Sequence, residues 1–149
     1  MSRLKRLTQL SILTLAITTN AHALDDQDGW SLLRLAEIHE EGLDEDWRAV
    51  KHFPPELRAA ADEFEVDGFV VPVLPEPYLK QFLLVEQPDN CPFCGNGGYG
   101  PVIEVEMKRP LPDLPEFTRG VISGTLEFNE DPETFQMFRL VDAVLIDQP

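Results

Sequence analysis

Residues 64–73 read FEVDGFVVPV, and this stretch decides the fold. Apolar and polar residues alternate from Phe64 to Asp67, which is typical of a β-strand with one buried face, and the run then becomes apolar. Gly68 stands at this change, where a glycine within a strand marks a bulge or a bend. The stretch therefore predicts a bent strand that is largely buried beyond the bend.

Four later stretches also have strand patterns, and they cover residues 80–86, 101–107, 118–128 and 135–146. Glycines at the bends of the first and fourth strands favour a small five-stranded barrel of the OB kind, which hides its sheet edges by closing. A curled antiparallel sheet with two N-terminal helices on one face is the alternative. Prolines at 110, 112 and 115 predict that the third strand has ended before them. Both alternatives are mainly β (α+β) folds.

Residues 24–63 are predicted to be a helical segment in front of a β-domain at 64–149, the two forming one globular domain. Apolar residues at Trp30, Leu33 and Ile38 indicate an amphipathic helix that starts at Asp28 and ends at Gly42. A second short helix is predicted over residues 54–62, with proline in its first turn. Three apolar residues of the connector are expected to pack onto the sheet, namely Trp47, Val50 and Phe53.

Residues 1–23 have the three zones of a signal peptide. Cations come first, an apolar run covers residues 7–17, and Ala21-His22-Ala23 is a small-x-small cleavage pattern. The apolar run is shorter than the roughly 20 residues that span a bilayer. We therefore predict a periplasmic or secreted chain without a membrane span after cleavage. The sequence leaves its oligomeric state open.

The chain is strongly acidic, with 27 Asp and Glu against 12 Lys and Arg and a formal charge of −15. Affinity for nucleic acids comes mainly from cationic side chains that neutralise phosphates. The composition therefore excludes nucleic acid as a partner. It suits a solvated exterior or attraction to cations and basic protein surfaces.

Residues 91–95 read CPFCG and contain the only two cysteines of the chain, Cys91 and Cys94. Two thiolates at this spacing can bind one zinc or copper ion. Pro92 and Gly95 suit the tight turn that such a site needs. Structural zinc takes four ligands, so further ligands would have to come from His39, His52, an acidic group or a second subunit.

The same pair permits two other chemistries. Thiol–disulfide exchange uses the Cys-x-x-Cys spacing, but the glycine-rich residues 95–100 cannot form the helix that usually lowers the pKa of the first thiol. A structural disulfide between Cys91 and Cys94 suits an oxidising compartment and would shape the loop. Metal binding, redox exchange and a structural disulfide all remain open at this point.

Other candidate groups are weaker. His39 and His52 are more typical of surface or partly buried histidines than of ligands. Glu104 and Glu106 lie two residues apart on one face of a predicted strand, where they are suited to a cation or simply to solubility. No nucleophile elbow or phosphate-binding loop is present in the sequence. Binding is therefore favoured over catalysis.

Four segments follow one another in the order that corresponding motifs have in a known family. They are residues 66–73 (VDGFVVPV), residues 82–85 (FLLV), the cysteine loop and residues 121–126 (VISGTL). The chain resembles the exported bacterial family catalogued as domain of unknown function 3299, in which strands reading G-F-x-V-P-L, F-L-L-V and V-x-G-x-L flank a cysteine-bearing loop. Of the cysteine loop, only the position of Cys91 matches. The resemblance implies a small exported β-domain of unassigned activity that accompanies envelope transport systems.

Together these observations predict an exported accessory binding protein with an envelope protein as its partner. Its predicted site is the loop of Cys91 and Cys94, with zinc, copper or no cofactor. A thiol–disulfide protein and an interaction module with a purely structural disulfide are the alternatives.

Overall fold

The structure is a computed structural model that describes residues 28–90, 101–112 and 114–147. Helices are short and strands dominate. None of the helices in these residues is long and apolar enough to cross a membrane. The elements are α1 (Gly29–Leu33), β1 (Glu37–Glu41), a 3₁₀ turn (Asp44–Asp46), β2 (Arg48–His52), α2 (Pro55–Ala59), β3 (Phe64–Pro72), β4 (Tyr78–Val85), a second 3₁₀ turn (Pro88–Asn90), β5 (Val102–Pro112), β6 (Arg119–Phe128) and β7 (Phe138–Asp147).

Strands β3 to β7 form a closed barrel in the order β3-β4-β5-β7-β6. All neighbouring strands are antiparallel except β5 and β7, which are parallel from Ile103 opposite Phe138 to Met107 opposite Ala143. The prediction of a small five-stranded OB-like barrel is therefore confirmed. The parallel pair excludes the alternative of a purely antiparallel sheet.

The third barrel strand continues through Pro110 and Pro112, two of the three prolines that were predicted to follow its end, and Pro115 lies beyond it. Leu111 and Pro112 of β5 lie opposite Leu79 and Tyr78 of β4. Pairing between β5 and β7 stops at Met107, so the proline-containing end of β5 has a partner on one side only. Proline is tolerated in such a segment because a strand with one neighbour needs backbone N–H donors on one side only.

The long first helix predicted from Asp28 to Gly42 is wrong beyond Leu33. Residues 37–41 instead form β1, which pairs antiparallel with β2 from Glu37 opposite His52 to Glu41 opposite Arg48. Gly42 serves the turn of this hairpin and has a φ of 78°. A one-turn helix has little stability of its own, so long-range strand pairing decides the structure here. The second predicted helix forms, but over Pro55–Ala59 only.

The N-terminal elements belong to the same hydrophobic core as the barrel. Trp30 and Leu33 of α1, Phe53 and Leu57 are buried in one cluster with the inward-facing barrel residues. The Trp30 indole N–H donates to the backbone carbonyl of Asp67 at 2.6 Å. Gly68 makes this approach feasible, because an added Cβ would lie 3.1 Å from Cζ2 of Trp30 and 2.9 Å from the carbonyl oxygen of Val85. The sequence change at Gly68 thus marks where α1 docks on β3.

Candidate functional site

A groove of about 1650 Å³ runs beside β4 and β5 and is lined by side chains of α1, β1, β4, β5, β6 and β7. Val73, Leu74 and Glu76 of the β3–β4 connection line one part of it, and residues 135–137 with Ile38 and Glu40 of β1 line another. The lining residues are Leu33, Arg34, Ala36, Ile38, Glu40, Val73, Leu74, Glu76, Lys80, Gln81, Phe82, Leu83, Pro101, Val102, Glu104, Val105, Glu106, Glu127, Phe128, Asn129, Phe135, Gln136, Met137, Phe138 and Arg139.

Charged side chains from three strands line the middle of the groove. Burial alternates along β5, so that Ile103, Val105 and Met107 point into the barrel while Glu104 and Glu106 point outward. This confirms that the two glutamates share one face. Glu106 forms ion pairs with Arg139 of β7 and, at 3.8 Å, with Lys80 of β4.

Glu104 has a different environment from Glu106. It lies opposite Arg139 in the strand register, but the guanidinium of Arg139 contacts Glu106 instead. No hydrogen bond or ion pair to the Glu104 carboxylate is formed by the described residues. In the groove, the Glu106 carboxylate is therefore paired with cations, whereas the Glu104 carboxylate is available to a ligand.

Exposed apolar side chains border the groove at both ends. Val73 and Leu74 of the β3–β4 connection are 50% and 62% exposed, and Phe135 at the opposite end is 55% exposed. Large apolar groups that stay in water beside a concave polar surface are typical of interaction sites. This arrangement distinguishes the groove from an ordinary solvated barrel face.

The β1–β2 hairpin holds the 129–137 loop in place. The backbone N–H of Ala49 donates to the carbonyl of Pro132 at 2.8 Å. The Lys51 ammonium donates to the carbonyls of Asp131 and Gln136, both at 2.8 Å. The Trp47 ring meets the Phe135 ring edge-on with centroids 5.0 Å apart, and its N–H donates to Glu40 at 2.7 Å. Burial lowers the pKa of Lys51, while the nearby Asp131 carboxylate opposes this change.

We expect Lys51→Met to loosen the 129–137 loop, because the two carbonyls lose a charged donor while the apolar stem is largely kept. Hydrogen bonds from charged groups contribute about 1.5–3 kcal/mol each, and partial solvation reduces the combined loss here to about 1–2 kcal/mol. Hydrogen exchange of the Ala49 amide should then accelerate about tenfold. Lys80→Met removes a cation from the groove floor without touching the loop. Equal acceleration in both variants would contradict the role of Lys51.

The cysteine site predicted from the sequence lies outside the described residues. Cys91, Pro92, Cys94 and Gly95 all fall between Asn90 and Pro101, where the structure describes nothing. Their ligand, redox or disulfide role stays a prediction. The chain re-enters the described part at Pro101, which lines the groove.

The two candidate histidines lie on the outward face of the β1–β2 hairpin. His52 is opposite Glu37 and His39 is opposite Val50, so the two imidazoles are diagonal neighbours. Nε2 of His39 is 3.6 Å from Oε1 of Glu41, whose pKa is lowered mainly by its hydrogen bond from Arg48. Within residues 28–90, 101–112 and 114–147, no three His, Cys, Asp or Glu side chains lie close enough together to hold a metal ion.

The groove was not predicted from the sequence, and neither were its apolar ends. Val73 and Phe135 were assigned to strands, but β3 ends at Pro72 and β7 begins at Phe138. Side chains in the 129–137 loop accept hydrogen bonds from backbone N–H groups two residues on, as Asn129 does from Asp131 and Thr134 does from Gln136. Such local bonds favour turns over a strand. The sequence signal that could have identified this part of the groove was Phe135, a large apolar residue among turn-forming residues.

Comparison of the chain with protein-family models, with curated proteins and with solved structures found no match. The resemblance to the exported family therefore stays a prediction.

Proposed function

We propose that this protein is an exported accessory binding protein of the cell envelope whose working surface is the groove across β4 and β5. The observation that carries the proposal is the groove itself, about 1650 Å³ in volume, with exposed apolar side chains at both ends and an available carboxylate on its floor. Ligand sites combine apolar walls with a few placed polar groups in this way.

The position of the groove on the barrel supports the same function. OB barrels bind their ligands on the face of their second and third strands, which are β4 and β5 here. This argument rests on analogy of fold, since one fold serves many functions. The acidic composition argues against the oligonucleotides that many OB barrels take, because a negative surface repels phosphates. A protein partner in the envelope fits the charge better.

The proposal also includes the predicted pair Cys91 and Cys94, which lies outside the described residues. The loop returns to the described chain at Pro101 and Val102, which both line the groove. In an oxidising compartment the pair would form a disulfide unless zinc or copper held the thiolates. A metal-handling role, a thiol–disulfide role and a purely structural disulfide are the three roles that the pair permits.

Thiol counting and metal analysis separate these three roles. Stoichiometric Zn²⁺ or Cu⁺ on the reduced chain, lost in Cys91→Ser, supports metal handling. A disulfide that a thioredoxin-like reductant opens readily supports redox exchange. A disulfide that resists this reductant, in a chain that purifies without metal, identifies a purely structural disulfide.

Site-specific photo-crosslinking in the native cells tests the binding function. A photoreactive residue replaces Gln81 or Glu104 in the groove, and Glu65 serves as the matched control because it is exposed on β3 and does not line the groove. We expect both groove positions to give adducts of the same defined mass. Adducts of equal yield from Glu65, or an absence of adducts from both groove positions, would overturn the proposal.

A further inference from the structure

At the side of the groove, β1 has one edge that pairs with no other strand of the described residues. Among the described strands, β1 pairs with β2 alone. On its other side, β2 contacts the 129–137 loop through the hydrogen bond from the Ala49 N–H to the Pro132 carbonyl. Four of the five residues of β1 are exposed, and Ile38 and Glu40 line the groove. A free edge presents backbone N–H and C=O groups in a row, which another extended chain can pair with.

This edge carries a concentrated negative charge. The stretch from β1 through the hairpin turn contains six acidic residues, which are Glu37, Glu40, Glu41, Asp44, Glu45 and Asp46. Only two cations follow on β2: Arg48 is paired with Glu41 at 3.0 Å, and Lys51 is directed at loop carbonyls. No cation of the described residues forms an ion pair with Glu37, Asp44, Glu45 or Asp46.

The charge restricts which chain can pair with β1. Like charges directly opposite each other destabilise a strand pair, so a second copy of β1 is a poor partner. An extended segment with cationic side chains would instead place opposite charges across the pair. Its other face would lie towards Ile38 and Phe135, which offer apolar contact at the groove end.

We propose that the edge of β1 accepts an extended, cationic segment of a partner polypeptide as a third strand, which enters the groove past Ile38 and Phe135. This inference rests on the proposed function, because it names the class of partner that the groove takes. Main-chain hydrogen bonds to β1 would supply affinity, and the acidic residues of the hairpin would select for lysine and arginine.

Synthetic peptides test the proposal on the full chain as it is purified. The probe is a capped nonapeptide of alternating lysine and valine, compared with the same peptide N-methylated at alternate residues. Methylation keeps the charge and removes backbone donors. We expect calorimetry to show binding that weakens at least about tenfold on methylation, since several main-chain hydrogen bonds are lost.

Two double variants then separate local from overall electrostatics. Glu37→Lys with Glu45→Lys reverses charges on the hairpin, and Glu63→Lys with Glu65→Lys makes the same change in net charge on exposed residues that do not line the groove. We expect the first pair to weaken binding about five- to tenfold and the second to have little effect.

Equal weakening by both pairs, equal binding of the methylated peptide or no binding of the cationic peptide would each overturn the strand-addition proposal. The groove crosslinks at Gln81 and Glu104 distinguish this failure from failure of the binding function. If the crosslinks form while the peptide does not bind, the groove takes a partner of another chemistry. If neither occurs, both proposals are wrong.

Discussion

We expect Trp30→Ala to lower the free energy of unfolding by about 3–5 kcal/mol, the range typical of removing a large buried aromatic side chain. Trp30 is 4% exposed and belongs to the main core cluster together with residues from the barrel. The change also removes the donor that bonds to the Asp67 carbonyl at 2.6 Å. Because Gly68 leaves the space that the indole fills, no neighbouring side chain at that position can fill the resulting cavity. Urea unfolding followed by circular dichroism measures the effect.

The second tryptophan of the chain provides the matched control. Trp47 is only partly buried, on the hairpin against Phe135. We expect Trp47→Ala to cost about 1–2 kcal/mol, since a partly exposed ring loses less buried area. Each variant also keeps one tryptophan, so its fluorescence reports on one environment. If Trp30→Ala costs no more than Trp47→Ala, α1 is not an integral part of the barrel core.

The barrel strands were predictable from the sequence because their signal is local. Alternation in β3, β5 and β6 reflects one face turned to the barrel interior, and Gly68 lies where Trp30 packs on β3. The predicted strand starts and ends differ from the observed ones mainly where prolines or loop side chains intervene. In β5, proline is accommodated because that part of the strand has one neighbour only.

The β1–β2 hairpin and the groove were not predictable in the same way. Residues 37–41 are rich in glutamate, and their strand conformation depends on pairing with residues 48–52 and on anchoring to the 129–137 loop. The groove joins side chains from β1, β4, β5 and β7, and its composition becomes apparent only once the barrel has closed. The cysteine pair is the converse case, since its spacing is evident in the sequence, whereas no local pattern decides between metal binding, redox exchange and a structural disulfide.

We expect Phe53→Ala to lower the free energy of unfolding by about 3–5 kcal/mol. The Phe53 ring lies 5.0 Å from that of Phe128 and 5.9 Å from that of Phe138, the residues on either side of the 129–137 loop. The Arg58 guanidinium lies over Phe53 and Phe128 and also bonds to Glu130 at 2.7 Å. Loss of the central ring therefore removes core packing and the support of this loop.

Phe135→Ala is the matched control, because it makes the same chemical change at an exposed phenylalanine. Phe135 is 55% exposed, so we expect its replacement to cost less than about 1 kcal/mol. Binding should show the reverse order when it is measured well below the unfolding transition, because Phe135 lies in the groove and Phe53 does not. A Phe135→Ala variant that binds the cationic peptide as tightly as the unmodified chain would remove the apolar end of the groove from the interface. Equal destabilisation by the two variants would contradict the role of Phe53 as the central ring of the aromatic cluster.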